Sequence, residues 1–362
     1  MRAAILHEFE TPLTIEECTP RDVGPYDARV RIEHSGVCHT DLSVTRGGLK
    51  RPLPILLGHE GAGVVTAVGS DVTRVKVGDR VVASFVASCG NCYFCLHDES
   101  HLCEYMFSLI GIPKATLRDG TPVYASSTLG TFAEELTASE TLLVKVTTDL
   151  PSEQLALIGC GVTTGVGAAL NTAEVKPGAS VAVFGCGGVG QSVIQGARIA
   201  GAARIFAVDP VASKREIALQ LGATDVIDPS AGDPVAQLRE MTGGRGCDYT
   251  FEVTGLPQVI LQAYAAARRG GTIVVVGMTK MDATIELSAF SLLLDGKKLM
   301  GSVYGSSQVR REFPRLVQLA ETGRLDLGAL VSRQIALEDV NDALAAIESG
   351  EVIRSVIDLQ RT

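Results

Sequence analysis

The spacing of apolar residues changes near Pro151, and the change divides the chain. Before it, "ARVRIEHSGV", "EGAGVVTAVGS" and "GDRVVASFV" are short β-branched runs separated by Gly, Asp and Pro, so this part reads as β-rich. "PSEQLALIGCGVTTGVGAALNTAEV" then carries a helical period behind a Pro-Ser start. From Ser180 to about Ser302 apolar strands alternate with amphipathic helices. The strands are "SVAVFG", "RIFAVD", "DVID", "CDYTFEVTG" and "TIVVVG"; the helices include "GQSVIQGARIAG", "SKREIALQLG" and "PQVILQAYAAARRGG". That alternation predicts βαβ units around a buried parallel sheet, an α/β class beside the β-rich part. The tail adds a helix, "LEDVNDALAAIESG", and a strand, "VIRSVIDL". The chain shows neither an internal repeat nor a low-complexity segment.

With 362 residues, the chain is too long for one ordinary core, so two domains are expected. No run of about 18 apolar residues occurs, and "LALIGCGVTTGVGAAL" is broken by Gly and Thr. "MRAAILHEFETP" lacks a signal-peptide core, so the expectation is a cytoplasmic protein with no membrane partner. Net charge is −9 with Lys and Arg scattered singly, which argues against a nucleic-acid partner. Nine cysteines, an odd number in a chain this large, point to metal rather than disulfides.

The turn after "SVAVF" reads Gly185-Cys186-Gly187-Gly188-Val189-Gly190, a G-x-G-x-x-G between a strand and a helix. Gly185 permits the tight turn, Gly187 lets a pyrophosphate approach the backbone, and Gly190 lets helix and strand pack closely. The free N–H groups and positive dipole end of the helix suit phosphate. The next strand ends in Asp209, whose carboxylate can accept bonds from ribose hydroxyls and repel a 2′-phosphate. Dinucleotide binding is expected, with NAD favoured over NADP because no arginine directly follows Asp209.

"CGNCYFCLHDESHLC" spaces Cys89, Cys92, Cys95 and Cys103 so that four thiolates can converge on one ion. Four thiolates leave no open position, which makes the site structural; zinc is preferred and an iron–sulfur cluster is the competitor. A second set is dispersed: Cys38 in "GVCHTDL", His59 in "GHEGAG" and Cys160 in "IGCGVTTG". Alone, each reads as an ordinary core residue; together they would give three ligands and an open fourth position.

These motifs, with "GDRVV", "VDP" and "SGEVIRSVI", resemble the zinc-dependent alcohol dehydrogenases of the medium-chain dehydrogenase/reductase superfamily, especially its aryl and primary alcohol dehydrogenases. The resemblance covers essentially the whole chain. It implies a GroES-like catalytic domain from residues 1–161 and 303–362, with a structural zinc lobe at about 89–103. A Rossmann domain of doubly wound parallel sheet would occupy 162–302, with the active site in the cleft. It further implies a catalytic zinc on Cys38, His59 and Cys160, with Glu60 able to approach the metal and Asp41 holding the histidine. Thr40 would take the alcohol's proton, and a zinc alkoxide would pass a hydride to NAD⁺. His39 and Arg354 would contact the pyrophosphate, Lys214 the adenosine ribose, Thr164 and Val276 the nicotinamide, and Leu49 and Phe85 the substrate.

Two departures narrow these expectations. Ser43 stands where many relatives carry a histidine that finishes the proton relay. Leu49, and "EYMFSLIG" without an arginine, depart from the S-(hydroxymethyl)glutathione (formaldehyde) dehydrogenase branch, which is retained as the alternative. Primary aromatic, allylic or medium-chain alcohols are therefore the expected substrates. A non-enzymatic NAD-binding zinc protein is the remaining reading. By the same resemblance the segment around 285–305, including "KKLMGSVYG", is expected at a homodimer interface, with a tetramer as the alternative.

Overall fold

The computed structural model describes residues 1–48 and 51–360; Leu49, expected in the substrate pocket, lies outside them. The chain forms two compact units. The first comprises Met1–Cys160, Gln308–Gly323 and Leu330–Thr362, the second Gly161–Ser307 and Arg324–Ala329. Residues 303–307 and 324–329, expected with the first unit, thus pack with the second. The cause is local: Asn171 Nδ2 donates to the Gly305 carbonyl at 3.3 Å. The Gln195 amide bonds both the carbonyl and the N–H of Asp326, at 3.0 and 2.7 Å.

In the first unit the short alternating runs become a closed barrel and a seven-stranded sheet. The barrel joins Arg2–Leu6, Thr14–Pro20, Ala115–Leu117, Pro122–Ala125 and Ile55–Leu56. The long strand Asp27–Gly36 pairs antiparallel with Glu60–Val68, with Glu135–Ser139, and with the C-terminal strand Ser355–Asp358. Its alternation turns Ala28, Val30 and Ile32 into a core shared with Val65, Val81, Phe132 and Leu136. The pairing Val356↔Gly36 brings the start of the last strand beside the backbone just before Cys38.

In the second unit six strands lie parallel, in the order Asp225–Ile227, Arg204–Val208, Ser180–Phe184, Cys247–Glu252, Ala267–Val275, Lys298–Gly301. Ser180–Phe184 and Arg204–Val208 are buried beyond their first residue because helices cover the sheet, as parallel sheets require. The helix expected over "PQVILQAYAAARRGG" stops at Ala266. Ala267 already pairs with Cys247, Arg268 Nε bonds Asp248 Oδ1 at 2.6 Å, and Gly270 has φ +70°. Those ties outweigh the helical propensity of the Ala-Arg run.

The stretch "LALIGCGVTTGVGAAL", read from sequence as too broken to span a bilayer, lies within Ser152–Thr172, one helical run of 21 residues, long and apolar enough by composition to cross a membrane. Its most apolar stretch is 78% buried, as befits a core helix. Residues Ile158–Val162 form a π-helical turn within it, a device frequent at functional sites.

Gly185, at φ +94°, makes the turn after Ser180–Phe184, and Gly190 opens the helix Gly188–Ile199 against it. A Cβ on Gly190 would lie 1.9 Å from the Gly185 carbonyl oxygen, whereas one on Gly187 would meet nothing within 4 Å. Gly190→Ala is expected to cost about 1–3 kcal/mol through forced backbone movement. Gly187→Ala should stay within about 0.5 kcal/mol of the parent. Thermal melting of the two variants checks this; equal losses would contradict it.

Candidate metal centres and dinucleotide site

Cys38 caps the short helix His39–Thr45, and Asp41 in its first turn folds back to accept the Cys38 N–H at 3.0 Å. The other oxygen of Asp41 accepts the Gly58 N–H at 3.1 Å and faces His59 Nδ1 at 3.2 Å. Asp41 is fully buried, and a carboxylate there can only accept, so Nδ1 carries a proton, and the neutral ring presents its lone pair at Nε2. His59 Nε2 is buried and has no protein partner. Cys160 enters from the π-helical turn, and Cys38, His59, Glu60 and Cys160 bring one donor atom each within 4.8 Å of one another. An imidazole lone pair aimed among two thiols and a carboxylate fits zinc chemistry, and the second carboxylate fixes the ring as such sites do.

Arg354, expected at a pyrophosphate, extends its Nη2 to Glu60 Oε1 at 3.4 Å and to Cys38 Sγ at 3.6 Å. It is 6% exposed. The hydrogen bond from Cys160, then Arg354 and His59, hold the Cys38 thiol well below the usual range despite burial. Burial pushes Glu60 up to about 7, with Arg354 opposing. Thr40 Oγ1 lies 3.8 Å from Cys38 Sγ. Ser43 Oγ donates to the His39 carbonyl at 3.1 Å, while the His39 side chain is exposed. Phe85 meets the His59 ring edge-on, centroids 5.8 Å apart.

All nine cysteines are free thiols. In the lobe, Cys89 and Cys95 sulfurs are 3.9 Å apart, and Cys92 and Cys103 sulfurs 3.8 Å. A tetrahedral ion with sulfurs at about 2.3 Å sets its ligands about 3.8 Å apart. A disulfide needs about 2.05 Å, and a multi-iron cluster spreads its thiolates more widely. The backbone N–H groups of Cys89, Asn91, Cys92 and Tyr105 point at the sulfurs of Cys89 and Cys103, as thiolates require. The four-cysteine group therefore fits a closed zinc site.

In the second unit the Gly-rich turn, Asp209 and Val276 all follow the carboxyl ends of parallel strands, where Phe184 pairs with Val208 and Glu252, and Glu252 with Val275. That is where doubly wound sheets bind ligands. The open space at Gly187 is a cradle that any side chain would fill. Asp209 is 5% exposed and accepts the N–H groups of Cys186, at 2.7 Å, and Val211, at 2.9 Å, so it braces the turn. The Lys214 carbonyl accepts from Gln191 at 2.8 Å. The helix Thr163–Gly167, bearing Thr164, packs on Gly188–Ile199, since a Cβ on Gly165 would sit 2.4 Å from the Val189 carbonyl. Sequence reasoning missed Arg215, which donates to the Asp209 carbonyl at 2.6 Å and pairs with Asp228 at 3.0 Å. Its place six residues beyond the acid, in the first turn of the helix Ala212–Leu221, was the available signal.

Fold and site together define a zinc-dependent dehydrogenase using a nicotinamide dinucleotide. Residues 24–148 match the family described as alcohol dehydrogenase GroES-like domain, and residues 188–322 that described as zinc-binding dehydrogenase. A Synechocystis protein named S-(hydroxymethyl)glutathione dehydrogenase is 40% identical, covering 98% of this chain and 99% of its own. The NDMA-dependent alcohol dehydrogenase of Amycolatopsis methanolica is 39% identical, covering 98% of each chain. The crystal structure of benzyl alcohol dehydrogenase from Acinetobacter calcoaceticus is 34% identical, with TM-score 0.92 over 99% of this chain and 98% of that one. The chain belongs to the zinc-dependent alcohol dehydrogenases of the medium-chain dehydrogenase/reductase superfamily.

Replacing Asp41 by Asn removes the charged acceptor behind His59. The expected result is a 10–100-fold loss of zinc affinity at the Cys38 site, with the four-cysteine site unaffected. Competition with a graded chelator, followed by metal counting, measures it; unchanged affinity would contradict the role given to Asp41.

Proposed function

We propose that the chain oxidises primary alcohols with an apolar body, aromatic, allylic or medium-chain, to aldehydes with NAD⁺, and runs the reverse. The observation that carries this is the convergence of Cys38, His59, Glu60 and Cys160 around a buried, unbonded imidazole nitrogen. Cys38, His59 and Cys160 would hold the catalytic zinc, with Glu60 within reach. Zinc bound there supplies Lewis acidity, lowering the pKa of a hydroxyl and polarising a carbonyl oxygen. The hydride chemistry belongs to the dinucleotide.

The protein's own part is positional and protonic. Asp41 keeps His59 in the tautomer a metal accepts. Thr40 takes the hydroxyl proton. Ser43 is engaged with its own helix, so the proton leaves through ribose hydroxyls and water, or through exposed His39. Phe85, standing against His59, gives the substrate an apolar wall.

For the cofactor, Gly185, Gly187, Gly188, Val189 and Gly190 cradle the pyrophosphate. Asp209 and Lys214 receive the adenosine ribose, Thr164 and Val276 flank the nicotinamide, and His39 assists at the phosphates. Arg354 acts at Glu60, where its guanidinium already lies. NAD is preferred because the Asp209 carboxylate repels a 2′-phosphate while Arg215 is held by Asp228.

The 40% identical S-(hydroxymethyl)glutathione dehydrogenase supplies the second reading. "EYMFSLIG" offers no cation for a glutathione carboxylate, which favours the apolar alcohol. The exposed strand Lys298–Gly301 at the sheet edge, beside exposed Phe290 and Leu293, supports a homodimer. Reduced cysteines throughout accord with a cytoplasmic setting.

A panel of benzyl alcohol, cinnamyl alcohol, 1-hexanol, ethanol and S-(hydroxymethyl)glutathione with NAD⁺ and NADP⁺ tests the reading. The first three with NAD⁺ should give the highest kcat/KM. Preference for the glutathione adduct overturns the substrate, and preference for NADP⁺ overturns the role of Asp209. Thr40→Val should lower kcat about 10²–10⁴-fold with zinc and dinucleotide affinity retained. Single-turnover hydride transfer reads this, and an unchanged rate would remove Thr40 from the proton path.

A further inference from the structure

A cavity of about 240 Å³ opens in the first unit, lined by Arg21, Pro25 and Tyr26 and by Leu109, Ile112 and Lys114 of the segment that follows Cys103, among others. Two cations meet there because the backbone holds them side by side: the Arg21 N–H donates to the Lys114 carbonyl at 2.9 Å. The Lys114 N–H is in turn tied to Val123 at 2.8 Å, so the side chain cannot swing out by backbone movement.

Lys114 is 4% exposed, and Asp27 is the charge that favours its ammonium. Arg21 Nη1 pairs with Asp27 Oδ2 at 2.8 Å, yet its Nε is buried and unpartnered. The one carboxylate of the group, Asp27, also accepts the Gly24 N–H at 3.1 Å. Two positive charges thus share a single negative one that Arg21 already occupies. Burial, reinforced by Arg21, pushes the Lys114 ammonium down to about 8. The cavity therefore presents an incompletely compensated cation beside an apolar wall, which suits an anion with an apolar body.

The remaining wall is apolar: Pro25, Leu109, Ile112 and the exposed ring of Tyr26. A cavity near 150 Å³ admits benzene, so this one holds a ring of that size together with a carboxylate. We propose that the cavity binds a small monocarboxylate with an apolar body. Its carboxylate lies on Lys114 Nζ, with the Arg21 guanidinium nearby, and its body against Pro25, Leu109 and Ile112. The proposal does not rest on the alcohol reading.

Equilibrium dialysis of radiolabelled benzoate against the full-length, zinc-loaded protein tests the proposal. Wild-type protein is expected to bind benzoate with an equivalent whose Kd rises about 10- to 100-fold in Lys114→Met. The melting temperature of the variant should not fall below that of the parent, and alcohol turnover should be unchanged. Ile112→Trp, which fills the cavity and leaves both cations, should lose the same equivalent. Inorganic phosphate at equal ionic strength should displace benzoate weakly, since it has no apolar body. Absence of binding in wild type, equal binding in both variants, or displacement by phosphate as effective as by unlabelled benzoate overturns the proposal.

Discussion

The catalytic centre depends on one buried carboxylate. Asp41 is shielded entirely from solvent and is bonded to the Cys38 N–H, the Gly58 N–H and the His59 imidazole. Those three bonds satisfy a charge that would otherwise be prohibitive in the interior. They also join the head of the helix His39–Thr45 to the segment leading into strand Glu60–Val68. The backbone permits this only because Gly58 has φ +89°, and a Cβ there would meet the Phe132 nitrogen at 2.6 Å. One interaction therefore sets the tautomer of a ligand, the place of a second ligand and the path of the chain between them.

Charge explains the rest of the cluster. Cys38, Cys160, Glu60 and Arg354 are all buried. A dication held there would balance two thiolates while Arg354 faces Glu60, leaving no net unpaired charge among these groups. The lobe obeys the same arithmetic differently. Its four thiolates on one dication carry an excess negative charge, which backbone N–H groups of Cys89, Asn91, Cys92 and Tyr105 offset. One site stays closed and stabilising; the other keeps a donor set that leaves room for a substrate oxygen.

What the sequence displays is what is local in the chain. The C-x₂-C-x₂-C spacing brings thiols together through a few residues of backbone, and the Gly-rich turn is continuous with its strand and helix, so both were legible. Cys38, His59 and Cys160 come from a helix cap, a loop and a π-helical turn. Only family resemblance joined them beforehand, because no period or spacing encodes their meeting. Arg354 was assigned to the phosphates by that resemblance. Its position at Glu60 follows from the pairing of Val356 with Gly36, a long-range register that residues 349–357 do not signal by themselves. The "AAARRGG" segment misled for the converse reason: its helical propensity is overridden by pairing with Cys247 and by the Asp248 ion pair. Lys114 looks like an ordinary loop cation in sequence, since burial is the one property that sets it apart.

Seven protein ligands, with Glu60 beside them, fit two zinc sites of different kind. Metal content of the purified protein, measured by atomic spectrometry per chain, tests it most directly. Two zinc ions per chain are predicted, one of them removed by mild chelation with loss of activity and retention of fold. One zinc per chain, or two that leave only when the protein unfolds, would contradict the assignment of Cys38, His59 and Cys160 as the working centre.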